Sequence, residues 1–213
     1  EVIKEKNIIL DFERASMNAL KKFFTSSKLY GCNFHLGQIV WRRVQNMKFA
    51  QEFMRNDEVK LHVKMILALS FVLIDDVLLL AARLNVSLKT EKSYDALRLF
   101  EWFKAEYLVE NDSNKSISFW NVFDRTLNGI PRTTNSIEGM HRHLNSLVKV
   151  KQASFFLILK ELIIEQEITE NKLLQSLYCD STVNVEDKMK EIFNRYSEYY
   201  GVEFLKKNAF NFH

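Results

Sequence analysis

The sequence has few residues that interrupt helices or form turns, with five glycines and one proline, Pro131, among its 213 residues. An all-β chain of this length would need a turn roughly every 8–12 residues. This scarcity argues against an all-β fold and predicts a mainly helical protein. Cysteine is also rare. Cys32 and Cys179 lie far apart in the chain, which argues against a disulfide scaffold and is typical of a reducing compartment.

A long uncharged apolar run is also missing. Met65–Leu84 approaches membrane-spanning length, but Asp75 and Asp76 fall at its centre. Each aspartate would cost about 2.5–3.5 kcal/mol in a bilayer. We therefore predict two packed helices joined at the aspartates, which would cap a helix beginning at Val77, and no membrane association. We recognise no signal peptide and expect an intracellular protein.

The composition instead suits a packed core, because 47% of the residues are hydrophobic and 17 are phenylalanine. Such a chain makes one domain, or one domain with an appendage. The net charge is +3, which does not by itself imply a nucleic-acid partner. Basic residues cluster locally, and a solvated face explains them as well as phosphate contacts do. They are Arg42, Arg43, Arg125, Arg132, Arg142, Lys149 and Lys151.

The order of the patterns predicts a small βαβ unit followed by helices. Ile8–Leu10 is typical of a buried strand, a helical spacing follows Asp11, and 28–32 predicts a second short strand. The remainder predicts helices, with a strong turn at Gly129–Pro131. The predicted helices are 33–47, 58–70, 75–85, 91–109, 135–149, 154–177 and 185–200. The first of these has an apolar stripe of Leu36, Val40, Val44 and Met47. We expect the apolar stripes of 58–85, 135–149 and 154–177 to form the main core, with 154–177 packed against the helix that carries Glu138.

Two acidic residues stand where they can support chemistry. Asp11 follows a predicted strand, at the sheet edge where α/β proteins collect ligand and metal sites. The alternative is that Asp11 caps the next helix. On the predicted helix 135–149, Glu138 shares one face with His141, Arg142, Asn145 and Lys149, which suits metal and phosphate chemistry. The alternative is a surface pair between Glu138 and Arg142.

Cys32 and His35 have the spacing of half a zinc site. A complete site needs two more ligands, and an i, i+2 pair such as His141 and His143 diverges on a helix. We therefore disfavour zinc and expect a buried small thiol beside a half-buried imidazole.

Four segments, taken in order, resemble the catalytic domain of Mutator-like element (MULE) transposases. Asp11-Phe12-Glu13 resembles the family's "DFE" segment, and Gly31-Cys32-Asn33-Phe34-His35 resembles its "GC-x-FH" element. Ala68–Val72 before Asp76-Val77 is similar to "ALAFVP", with Leu73 where a proline is usual. Trp120-Asn121 followed by Arg132–His141 is similar to "W…RTNN-x-xEG-x-H". The resemblance covers residues 7–149, and the second and fourth elements together are specific.

The resemblance implies a ribonuclease-H-like fold with a DDE triad, in which Asp11 is the second acid and Glu138 the third. Cys32, His35 and His141 would belong to the family motifs. The fold would be mainly α, with the last two strands of the core as a βαβ remnant, an all-helical insertion and C-terminal helices. The first aspartate would lie on a strand before Glu1, so we expect the 213 residues alone to be inactive. The implied segments are a partial core at 1–49, the insertion at 50–131, core helices at 132–178 and a helical extension at 179–213.

The implied activity is metal-dependent DNA cleavage and strand transfer with Mg²⁺ or Mn²⁺. The implied partners are DNA, as transposon ends and target, and a second copy of the chain, in the nucleus of a eukaryotic host. Candidate DNA contacts are Arg42, Arg43, Arg132, Asn135, Arg142 and Lys149. The alternative is a domesticated derivative that keeps the helical scaffold as a DNA- or protein-interaction module without catalysis.

Overall fold

The computed structural model describes residues 7–109, 115–134 and 202–209, with scattered positions between 139 and 168. It is mainly helical with a small two-stranded parallel sheet, as the sequence predicts. The chain forms two compact units: residues 1–133 with 189–213, and residues 134–188. Strands β1 and β2 and helices α1 to α9, defined in the following paragraphs, belong to the first unit.

The sheet consists of strands β1 (Asn7–Leu10) and β2 (Lys28–Gly31), which pair in parallel with Leu10 opposite Gly31. Helix α1 (Arg14–Phe23) connects them and buries Met17. Both strand predictions are confirmed. The strand–helix–strand order follows from sequence because the apolar run at 8–10 suits a strand, whereas the spacing beyond Asp11 suits a helix.

Helix α2 (Asn33–Asn46) follows β2 directly and buries Leu36, Val40 and Val44. These are three of the four positions of the predicted stripe, and the fourth, Met47, is half-buried and packs against the same core. The following helices surround the core. They are α3 (Ala50–Arg55), α4 (Asp57–Ala68), α5 (Val77–Thr90), α6 (Tyr94–Phe103), α7 (Ile117–Trp120), α8 (Phe123–Leu127) and α9 (Val202–Ala209).

The apolar run that resembled a membrane span is broken at its aspartates. Helix α4 ends at Ala68, the 3₁₀ turns Leu69–Phe71 and Ile74–Asp76 follow, and α5 begins at Val77 with Asp76 at its N-cap position. The side chain of Asp76 makes no capping hydrogen bond there. Among the described residues, no helix has the length and apolarity needed to cross a bilayer.

One large core unites α2, α4, α5, α6 and the α7–α8 segment. Its largest fully buried apolar side chains are Trp120, Phe71, Phe100, Phe103 and Phe204. Phe204 comes from α9, which packs mainly against α4 although it lies far along the chain. The predicted contribution of residues 58–85 to the core is therefore confirmed.

The predicted helices 135–149, 154–177 and 185–200 lie mostly outside the described residues. Single positions at 139, 146 and between 156 and 168 are helical. We expected an apolar stripe of 154–177 to be buried against the helix that carries Glu138. Several of its described side chains are instead exposed, including Phe156 at 79% and Ile163 at 51%.

Candidate functional site

Asp11 lies at the carboxyl-terminal edge of the sheet. It follows β1 immediately, and its half-exposed carboxylate accepts a hydrogen bond from the Glu13 amide through Oδ1 at 3.1 Å. Glu13, not Asp11, occupies the N-cap position of α1, so the capping alternative is not what the structure has. A solvent-accessible carboxylate at this edge is a suitable ligand for Mg²⁺, which is usually coordinated by one or two carboxylates together with waters and phosphate oxygens.

The parallel pairing brings the Cys32 element to the same edge as Asp11. The Cys32 amide donates to the Leu10 carbonyl at 2.7 Å, which extends the ladder one residue beyond β2. Cys32 is fully buried at the N-cap position of α2, and His35 lies half-buried in the first turn with its ring against Phe34. This is the position that the sequence predicts, near the core and at the start of the helix that carries Trp41.

Arg132, which begins the second part of the fourth resembling element, also lies at this edge. Its carbonyl accepts a hydrogen bond from the Asn33 amide at 2.9 Å, one residue after Cys32. Its guanidinium lies 5.8 Å from the centre of the Phe71 ring. Segments that are about a hundred positions apart in the sequence therefore meet where β1 and β2 end.

Arg125 contacts the residues at the end of β2 and helps to hold the sheet edge in place. Its side chain is buried, Nη2 donates to the Gly31 carbonyl at 2.7 Å, and the guanidinium covers the Tyr30 ring at 5.1 Å. Within the described part of the chain, its Nε and Nη1 have no hydrogen-bond partner. Burial lowers the pKa of Arg125 to about 10, against the opposing effects of Tyr30 and Cys32. The sequence showed Arg125 only as one of several basic residues and gave no sign of this positioning role.

The two arginines of α2 differ. Arg42 is exposed, whereas the guanidinium of Arg43 lies 5.2 Å from the centre of the Trp102 ring and packs against α6. Arg43 therefore has a packing role that its sequence position did not reveal, and Arg42 is the better placed of the two to meet phosphate.

The remaining predicted site residues lie outside the described residues: Glu138, Asn135, His141, Arg142 and Lys149. If both acids bind one metal cluster, as the resemblance implies, the Asp11 and Glu138 carboxylates should lie within about 10 Å of each other, and this separation stays a prediction. Among the residues that the structure describes, one group of His, Cys, Asp and Glu side chains has the proximity to hold a metal ion, and it includes neither Cys32 nor His35.

Comparison of the chain with models of protein families, with curated proteins and with solved structures found no match.

Proposed function

We propose that this chain is the C-terminal part of the catalytic domain of a DDE-type transposase of the Mutator-like class. Its activity would be metal-dependent DNA cleavage and strand transfer, with Asp11 and Glu138 as two of the metal-binding carboxylates. One observation carries the proposal. The parallel strands bring Asp11 and the Cys32 element to one sheet edge, and the hydrogen bond from the Asn33 amide to the Arg132 carbonyl holds the Arg132 segment beside them. Those are three of the four elements on which the resemblance rests.

The position of Asp11 is the one that such chemistry needs. Sites on parallel sheets form beyond the carboxyl ends of the strands, because loops and helix starts converge there. Attack on a phosphodiester is stabilised by divalent ions that contact the attacking and leaving oxygens. Asp11 would hold such an ion, since its carboxylate is half-exposed and stands beside the sheet rather than inside the core. In this proposal β1 and β2 are the last two strands of a ribonuclease-H-like sheet.

DNA would be bound mainly through its phosphates. Exposed Arg42 and half-buried Arg132 are described candidates, and Asn135, Arg142 and Lys149 complete the proposed surface. Because the net charge is only +3, the 213 residues alone should bind duplex DNA weakly and with a steep salt dependence. A nuclear location and assembly with a second copy belong to the same proposal.

The proposal is tested by strand transfer in the complete gene product that contains this sequence. Asp11→Asn and Glu138→Gln should each lower the Mn²⁺- or Mg²⁺-dependent rate at least about 100-fold, because groups that merely orient metal ligands already contribute 10–100-fold. Glu13→Gln is the matched control, since Glu13 is an exposed carboxylate two residues from Asp11. Its rate should stay near that of the wild type.

Full activity of Asp11→Asn would overturn the assignment. A different pair of results would favour the domesticated interaction module. The complete wild-type protein would be inactive in strand transfer, and the 213-residue chain would bind one DNA sequence specifically at physiological salt. In that case the recognition surface would lie in the helical part of the molecule.

A further inference from the structure

A buried histidine of α4 and two carboxylates form a cluster that shares no residue with the sheet edge. His62 is 1% exposed, and its ring faces Glu91, whose side chain is about one-third exposed. Glu58 stands one helical turn before His62 and is exposed. One potential ligand atom from each of these three residues lies within 4.8 Å of the other two.

Two parts of the fold build this cluster. Helix α4 is capped by Asn56, whose side chain accepts from the Glu58 and Val59 amides, and the i, i+4 spacing then places Glu58 and His62 on one face. Glu91 follows the end of α5, where Lys92 turns the chain with a positive φ of 54°. Ser93 comes next, at the N-cap position of α6. A rigid helix and a tight interhelical turn therefore supply the groups.

The His62 ring is held at both nitrogens. Nδ1 lies 3.0 Å from the Ser93 hydroxyl oxygen, and Nε2 lies 2.5 Å from Oε2 of Glu91. A hydroxyl both donates and accepts, so Ser93 supports either tautomer of the ring. A histidine that ligates a metal through one nitrogen usually donates the hydrogen of the other to such a group. Ser93 is thus placed to orient His62 as a ligand through Nε2.

The surroundings favour a cation. Glu58, Glu91 and Ser93 line a pocket of about 510 Å³. The charged side chains that line it are four acids and two lysines: Glu52, Glu58, Glu91, Asp95, Lys48 and Lys92. Lys206 of α9 approaches Glu91 at 4.0 Å, but at Oε1, the oxygen that also accepts from Ser87. Oε2 is the oxygen that faces His62.

We propose that Glu58, His62 and Glu91 bind a divalent transition-metal ion of the zinc class. The ligands are the Glu58 carboxylate, His62 Nε2 and Glu91 Oε2, with a fourth position open to the pocket. Ligands of a tetrahedral site with bonds near 2.1 Å lie roughly 3.4 Å apart. The present separations, from 2.5 Å to at most 4.8 Å, lie on either side of that value, so small side-chain rotations suffice.

The donor set selects the class of metal. An imidazole nitrogen with two carboxylates suits zinc and its first-row neighbours, whereas Mg²⁺ and Ca²⁺ prefer oxygen donors alone. Metal binding requires that Nε2 carries no hydrogen. The ring hydrogen is then on Nδ1, which donates a hydrogen bond to the Ser93 hydroxyl oxygen. The metal site does not include Asp11, Glu138, Cys32 or His35. The result of the metal-binding test is therefore independent of the proposed transposase function.

The test is calorimetric titration of the chelator-treated 213-residue chain with Zn²⁺, together with visible absorption of the Co²⁺ form. We expect one ion per chain at this site. Glu58→Gln and Glu91→Gln should each weaken binding at least about 10-fold, and Ser93→Ala about 10–100-fold. Glu58 is exposed, so its variant keeps the fold even where a change at buried His62 does not.

Two controls show whether the bound ion occupies this site. Glu52→Gln and Asp95→Asn change only the net charge of the same pocket and should weaken binding much less than Glu58→Gln or Glu91→Gln does. The Co²⁺ spectrum should lack the intense near-ultraviolet sulfur-to-cobalt band, and Cys32→Ser should have no effect. Binding that survives both Glu58→Gln and Glu91→Gln, or no stoichiometric binding at all, would overturn the proposal. His62 and Glu91 would then be a hydrogen-bonded pair that joins α4 to the α5–α6 turn.

Discussion

The helical core and the two-stranded sheet are stabilised to very different degrees. The core buries side chains from α2, α4, α5, α6 and the later helices, whereas the buried cluster beside the sheet consists of Leu10, Met17 and Phe119. Each strand has only four residues, and two short strands are not stable by themselves in water. The proposed catalytic edge therefore stands on the weaker of the two regions.

The α7–α8 segment connects these two regions. Phe119 packs against Phe12 and the sheet, while the next residue, Trp120, belongs to the helical core. The buried side chain of Asn121 donates through Nδ2 to the Val72 carbonyl at 2.7 Å, and Arg125 donates through Nη2 to the Gly31 carbonyl. The sheet thus derives its stability from a segment that is anchored in the helices.

The largest expected effect is that of Trp120→Ala. Trp120 is fully buried, its indole N–H donates to the Tyr107 carbonyl at 3.2 Å, and its ring contacts Phe103. Removing it should lower the free energy of unfolding by about 3–5 kcal/mol, measured by urea denaturation followed by circular dichroism. Trp120→Phe keeps most of the volume and should cost much less. Equal losses for both variants would contradict a packing role.

An intermediate effect is expected for Gly31→Ala, at the end of β2. A Cβ there would lie 2.8 Å from both Phe119 Cε1 and Phe12 Cζ, so the two rings must move. The variant should lose about 1–3 kcal/mol, with faster amide exchange in β1 and β2 than in α4. Gly37→Ala is the matched control, because nothing lies within 4 Å of its Cβ and alanine favours the helix. Uniform exchange across both regions would show that they unfold as one.

The smallest effect concerns the acid end of the pH range. Partial burial raises the pKa of Glu91, but hydrogen bonds from Ser87 and His62, together with the electrostatic attraction of His62 and Lys206, outweigh it and hold the pKa below its ordinary value of 4.5. Because the folded pKa is depressed, the stabilisation is present above pH 4.5 and is lost as the pH falls through the folded value. In metal-free buffer, the stability difference between wild type and Glu91→Gln should shrink below this pH. A stability difference between the two proteins that does not change with pH would contradict this coupling between the protonation of Glu91 and folding.

Local patterns predicted much of the fold. The strands Asn7–Leu10 and Lys28–Gly31 and the buried stripe of α2 could be read from sequence, because each depends on the spacing of adjacent apolar residues. Helix α5 was predicted to end at 85 but continues to Thr90, because Leu88 is buried one turn beyond Leu84. Helix α3 was missed, since it has no fully buried residue and therefore no apolar stripe.

The candidate sites were less accessible to sequence reasoning. Asp11 was found because a single acid after a strand is a local signal. Glu58 and His62 carry the i, i+4 spacing of two ligands on one helix face, which was a usable signal that went unnoticed. Glu91 joins them only through the packing of α4 against the α5–α6 turn, and Arg125 reaches Gly31 across the fold. Such contacts between distant positions leave no periodic pattern in the sequence.

The contact between α9 and α4 has a consequence for folding during synthesis on the ribosome. The apolar face of α4 emerges early, but Phe204 and Leu205, which cover part of it, are synthesised only after all the intervening residues. Until then the nascent chain presents an uncovered apolar surface, of the kind that chaperones bind. Closing this contact also requires joining residues far apart in sequence, which slows folding relative to a bundle of neighbouring helices. A ribosome stalled before residue 202 should therefore hold a chain that is helical but still sensitive to protease.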